Sequence, residues 1–134
     1  MAKYVLADGE SLRTVRCTID TGTVIAAGDL VAIDTGLIIK AVAASTAVAF
    51  CPKGSASGET VCEVSVGNDF TLKGTLDAVF AVAYKGGEYD IEDTTQLIDL
   101  DASSTDVLKI DMSENAGTVG ATTNVRVRIN KPIF

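Results

Sequence analysis

The tripeptide Asp-Thr-Gly occurs twice, at Asp20-Thr21-Gly22 and Asp34-Thr35-Gly36. A turn of this kind can present a carboxylate. Two such carboxylates roughly 3 Å apart share one proton, because both cannot ionise, and the pair then works as an acid–base dyad. The two copies here start only 14 residues apart. The structural alternative is that Asp caps its own backbone and Gly supplies a positive φ in an ordinary tight turn, and this is the favoured expectation. Little other catalytic equipment is present. There is no His and no Trp in 134 residues. Without His there is no Ser–His or Cys–His nucleophile pair, no imidazole base and no His-ligated zinc. The expectation is a protein that is not an enzyme and holds neither metal nor cofactor.

Three further groups could do chemistry. Cys17, Cys51 and Cys62 are odd in number and have no CxxC spacing. They are expected to be small, buried, reduced residues, although Cys51 and Cys62 flank a Gly/Ser-rich stretch and could face each other. Asp99, Asp101, Ser103 and Asp106 have the look of a calcium loop. Counted from Asp99, positions six and twelve hold Ser104 and Ile110, where such a loop needs Gly and Glu, so an exposed strand face is expected instead. Arg126 and Arg128, with Lys131 less regularly, fall on one side of an alternating segment whose other side is Val125, Val127 and Ile129. No aromatic residues interleave for base stacking, so this basic face is expected to form subunit-interface ion pairs rather than to bind nucleic acid.

Charge and composition set the frame. Net charge is −7 and mean hydropathy +0.30. Residues 88–114 carry nine acids and one Lys, whereas residues 115–134 carry three bases and no acid. An acidic chain with a basic end can pair with its own copies and repels phosphate. Val, Ile and Thr number 15, 10 and 15, with 12 Gly and 2 Pro, a composition of strands and tight turns. The first residues lack the apolar core of a secretion signal, and no apolar run spans a bilayer, so neither a leader nor a membrane segment is expected.

The elements that must position these groups follow from periodicity. Thr14–Asp20 and Val61–Val66 alternate as half-buried strands. Leu30–Ile33 and Leu37–Ile39, joined by Asp34-Thr35-Gly36, predict a hairpin. Ala41–Phe50 is expected as a strand, residues 52–58 as a flexible loop, and the stretch after Asp77 as a one- or two-turn helix. Gln96–Leu100, Val107–Met112 and Asn124–Asn130 predict three more strands. The sum is one mainly β domain over residues 1–134, a small barrel or sandwich with at most one short helix. Residues 1–11 form an extended N-terminal arm.

Several segments together give a resemblance. Ala2-Lys3-Tyr4-Val5-Leu6, Ala27–Ile33, Gly36–Ala41, Lys85–Ile91, Ser104–Ile110 and Val125–Asn130 are similar in style to the small decoration, or cement, proteins that coat tailed-phage capsids. The resemblance implies a β-rich, non-catalytic protein of the capsid exterior, made in the host cytoplasm. Its partner would be the major capsid protein, with copies clustered at threefold positions as a homo-oligomer, a trimer being favoured. Residues Ala2, Lys3, Tyr4, Val5 and Leu6 would be the capsid-binding segment, poorly ordered until they add a strand to a capsid sheet. Two alternatives stay open. One is another phage structural subunit, such as a tail-tube or appendage protein. The other is a dimeric aspartic protease, since Cys17–Ile25 resembles the flank of the retroviral-type active turn, though the bracing apolar-apolar-Gly segment has no counterpart.

Overall fold

The computed structural model describes residues 2–56 and 58–134. Eleven strands are present among them: β1 (Val5–Leu6), β2 (Thr14–Thr18), β3 (Asp29–Asp34), β4 (Leu37–Lys40), β5 (Ala49–Cys51), β6 (Val61–Ser65), β7 (Leu72–Gly74), β8 (Glu88–Ile91), β9 (Ile98–Asp99), β10 (Leu108–Ile110) and β11 (Val125–Ile129). They form a six-stranded sheet in the order β1-β7-β11-β10-β8-β9, a three-stranded sheet β4-β3-β5 and a two-stranded ribbon β2-β6. Among the described residues no sheet closes on itself as a barrel. The chain is mainly β, as its composition requires.

The β3–β4 hairpin is the element most directly written in sequence. Asp34 pairs with Leu37, leaving Thr35 and Gly36 as a two-residue loop. Both have positive φ, 48° and 85°. That is the mirror-image turn whose twist matches the strands. Gly adopts it freely, while the β-branched Thr35 is held there by the pairing on either side.

The main core lies between the six- and three-stranded sheets. Leu30, Ala32 and Phe50 meet Leu72, Leu108, Val125 and Val127 there. A smaller core gathers Ile19, Ile25, Val31, Ile38 and Val64 with Cys51 and Cys62. Residue alternation decides which core a side chain joins: Leu30 and Val31 are consecutive and serve opposite faces.

One polar group ties the two larger sheets together. Gln96 is 2% exposed. Its Oε1 accepts from the Leu30 N–H at 2.9 Å, and its Nε2 donates to the carbonyls of Leu30 and Ala41, both at 2.8 Å. The Tyr4 hydroxyl donates to the Gln96 carbonyl at 2.7 Å. Tyr4 itself is 1% exposed. Glycine makes room for it, since a Cβ at Gly74 would collide with the tyrosine ring. Below it, the buried carboxylate of Asp29 is flanked by Lys3 at 3.2 Å and Lys40 at 3.3 Å and caps the Ala26 N–H at 2.9 Å.

These contacts correct the expectation of a loose N-terminal arm. Val5 and Leu6 pair with Lys73 and Leu72 at the edge of the large sheet. Ala7 N–H donates to the Thr71 carbonyl, and the Glu10 carboxylate accepts from Thr71 N–H. The segment is too short to be an element alone, but it completes one. Burial of the Tyr4 ring, the strand pairing of Val5 and Leu6, and the Lys3–Asp29 ion pair together offset the ordering of these few residues.

Other expectations are also corrected. Ala41–Phe50 is a strand only from Ala49. Before that, Ser45 closes a turn on Val42 through its N–H and hydroxyl. The predicted helix after Asp77 shrinks to a 3-10 turn, Val82–Tyr84, because Asp77 and Phe80 send their N–H groups across to Ile98 and Ala121. The loop after Cys51 is pinned, with Ser55 bonding Ile25 through both its N–H and hydroxyl. Ser57, in the same predicted loop, lies outside the described residues. β2 pairs only with β6, so Val15 is 39% exposed rather than half-buried.

Replacing Gln96 by Leu keeps the volume but strands the Leu30 N–H and the Ala41 carbonyl, while the Leu30 carbonyl keeps its bond from Ala41 N–H. The expected loss is about 3 kcal/mol in denaturant titration. Deleting residues 2–6 is expected to be at least as damaging, because it empties the Tyr4 site. A truncation as stable as the intact chain would show that the arm is not part of the fold.

Candidate functional site: a cationic sheet face

The six-stranded sheet buries one face and exposes the other. In β11 the alternation is strict: Val125, Val127 and Ile129 are buried, Arg126 is half-buried and Arg128 exposed. The neighbouring strands add cations in register. Arg126 stands directly opposite Lys73 on β7, and Arg128 directly opposite Lys109 on β10. Like charges placed opposite each other across strands are destabilising. Four cations on one face of an acidic protein, in two facing pairs, therefore work against the stability of the isolated chain. Of these four cations only Arg128 has an ion-pair partner among the described residues, the fully exposed Asp69 at 3.7 Å. Glu88 stands opposite Lys109 on β8, at the margin of the patch.

The sequence-predicted site residues distribute unevenly over this face. Arg126 and Arg128 lie at its centre. Lys131 does not belong to it: it follows the strand, and its Nζ donates to the Thr105 carbonyl at 2.8 Å. Of the N-terminal segment only Val5 reaches the face, 45% exposed and in line with Lys73 and Arg126. Tyr4 points into the core, Leu6 is half-buried and Lys3 is engaged with Asp29. Ala2 is exposed beside Gly28. Lys73 and Lys109 were missed. Each sits in a three-residue strand, too short to show a period, and each is a lone cation in its own stretch of sequence.

A second exposed feature is apolar. Val79, Val82, Met112 and Val119 are 55–68% exposed. They lie on two loops joined by hydrogen bonds from Phe80 to Ala121 and from Gly120 to Phe80.

Both Asp-Thr-Gly turns have local structural roles. Asp34 opens the β3–β4 turn. Asp20 N–H donates to the Ile38 carbonyl, and the Asp20 carbonyl accepts from Thr23, with Gly22 at φ 82°. No hydrogen bond joins the two carboxylates among the described residues. Asp99 and Asp101 lie close to Asp77, with one carboxylate oxygen of each within 4.8 Å of the others. Asp77 accepts from Leu100 N–H and Asp99 from Asp101 N–H. Ser103 and Asp106 lie further along the same β9–β10 loop, where Asp90 holds the stretch Ser104–Asp106 instead. Burial pushes the Asp90 carboxyl up, but N–H groups of Asp106, Thr105 and Ser104 outweigh it, so its pKa falls below the ordinary value. Among the described residues no helix is long and apolar enough to cross a membrane.

Compared with protein-family models and with curated proteins, the chain matches none.

Two outcomes follow. Asp20→Asn and Asp34→Asn are each expected to shift stability by less than about 1 kcal/mol, as surface turn changes do. A peptide-cleavage assay at acid pH that registers activity lost in either variant would contradict the structural role of these turns. Asp90 has a depressed folded pKa. Its stabilisation is therefore fully present above the unfolded carboxylate value near 4 and is lost as pH falls through the folded value. Asp90→Asn should cost about 2 kcal/mol at pH 7 and flatten the acid limb of the stability curve.

Proposed function

We propose that this chain is a structural protein that decorates a phage capsid and acts without catalysis. It docks through the outer face of its six-stranded sheet. The observation that carries this reading is the pair of facing like-charged contacts, Arg126–Lys73 and Arg128–Lys109. An acidic surface laid over them relieves repulsion that the isolated domain has to bear, which turns an unfavourable feature of the monomer into binding energy. Val5 adds an apolar contact in line with the first pair. The sequence resemblance to decoration proteins supplies the partner, the major capsid protein. Threefold clustering on the capsid exterior would multiply a modest single-copy affinity by avidity.

The fold proposed with this role is a sandwich-like pair of sheets, with the main core as its filling. The tail-tube alternative is less well supported. Its candidate hairpin arm, the loop between Cys51 and Cys62, is held against Ile25 by Ser55 instead of projecting.

The reading is tested on particles. Virions purified from cells producing the protein are expected to contain it at a fixed ratio to the major capsid protein, with density on the outer surface in cryo-electron microscopy. Arg126→Glu with Arg128→Glu should leave the circular dichroism unchanged and lower occupancy at least tenfold. Occupancy by the intact chain should fall as salt is raised from 0.05 to 0.5 M. A protein absent from purified particles, or bound equally well after the charge reversal, would refute this docking mode.

A further inference from the structure

The three cysteines, distant in sequence, meet at one place in the smaller core. Cys17 on β2 and Cys62 on β6 are directly opposite in register. Cys51, at the end of β5, is packed with Cys62 and Cys17 in the same small core, and its thiol couples electrostatically to that of Cys62. Cys62 thus sits between the other two. All three are free thiols; Cys17 is half-buried, and Cys51 and Cys62 are buried. Burial raises the Cys51 thiol, and backbone bonding from Gly54 and Lys53 offsets only part of that rise. β5 and β6 belong to different sheets, so a covalent bond here would join the three-stranded sheet to the ribbon.

We propose that Cys17, Cys62 and Cys51 form an oxidation relay driven by a hydroperoxide, ending in a buried Cys51–Cys62 disulfide. The Cys17 thiolate, the most accessible of the three, attacks the outer peroxide oxygen. The O–O bond breaks, Cys17 becomes a sulfenic acid, and the hydroxide or alkoxide leaves as water or an alcohol, taking the proton that Cys17 gave up on ionising. The Cys62 thiolate then attacks the Cys17 sulfur. The S–O bond breaks, water leaves carrying the proton that Cys62 gave up, and a Cys17–Cys62 disulfide forms. Last, the Cys51 thiolate attacks the Cys62 sulfur. The Cys17–Cys62 bond breaks, Cys17 leaves as a thiolate and takes up the proton lost by Cys51. In sum, two thiols are oxidised to one disulfide and one hydroperoxide is reduced.

Two features give the relay its direction. Cys17 is the least buried thiol and therefore both the entry point and the best leaving group. The final bond lies in the core, sheltered from external reductants. Burial raises all three thiols, Cys62 to about 12, so the thiolate fraction at neutral pH is small and the relay accelerates as pH rises. This inference is independent of capsid binding.

The test treats the intact chain with hydrogen peroxide at pH 8.5, alkylates it in denaturant and maps the peptides by mass spectrometry. The expected end state has one free thiol instead of three. That thiol is Cys17, with Cys51 and Cys62 in one intramolecular cross-linked peptide pair. Oxidation at pH 8.5 should be at least fivefold faster than at pH 7. Cys17→Ser should slow disulfide formation at least tenfold, and Cys51→Ser should arrest the protein with Cys17 joined to Cys62. Three thiols retained, a free thiol at Cys51, or a covalent dimer would overturn the proposal, as would a Cys17→Ser variant that oxidises at the original rate. Should a variant fail to fold, the peptide map and pH dependence of the unaltered chain decide the matter alone.

Discussion

The structure depends on the side chain of Gln96. Leu30 lies at the start of the central strand of the three-stranded sheet, just after Asp29, and without Gln96 its N–H and the Ala41 carbonyl would be unpartnered in the main core. A single amide satisfies them because it carries both an acceptor and two donors. The residue adopts φ 54° to do so, a conformation uncommon outside Gly and Asn, and its own carbonyl is left free to receive the Tyr4 hydroxyl. One residue therefore joins the three-stranded sheet, the N-terminal strand and the loop before β9. A buried network of this kind is favourable only when every member is satisfied.

Charge is distributed by the same constraint. Once Tyr4 is seated, Val5 must face outward, because successive strand residues alternate. Its pairing with Lys73 then places it in one row with Lys73 and Arg126. The fold that buries the tyrosine thus assembles the cationic face. Asp29 plays the corresponding part inside, where two lysines compensate a carboxylate that would be costly to bury alone. The acids of residues 88–114 border the cationic face: Glu88 stands opposite Lys109, Asp90 and Asp99 continue the same row toward the β9 edge, and Glu114 lies beside Lys73 and Arg126.

How far the sequence disclosed this varies with the kind of signal. The β3–β4 hairpin was legible because its turn chemistry and its two apolar runs agree. The Arg126/Arg128 face was legible because five residues alternate strictly. The mainly β class followed from composition, while closure into a barrel did not occur. Gln96 could not be read: it lies among turn residues, and its role exists only once Leu30, 66 positions away, is beside it. Lys73 and Lys109 were hidden because short strands carry no period. The N-terminal arm was misjudged for a similar reason. Tyr4 has little local context, and its ring is accommodated by Gly74, which lies next to it only in three dimensions. The convergence of Cys17, Cys51 and Cys62 was half legible, since the two that flank a loop suggested proximity and the third gave no sign.

The central proposal is that the cationic sheet face docks on a capsid. Zero-length carbodiimide coupling of the protein to the proposed phage capsid tests this most directly, because it joins lysine amines to carboxylates only where they touch. The account predicts cross-links to capsid acidic residues from Lys73 and Lys109, and none from the 80%-exposed Lys53, whose side chain lies away from that sheet. Capsid cross-links confined to Lys53, with Lys73 and Lys109 unmodified, would contradict it.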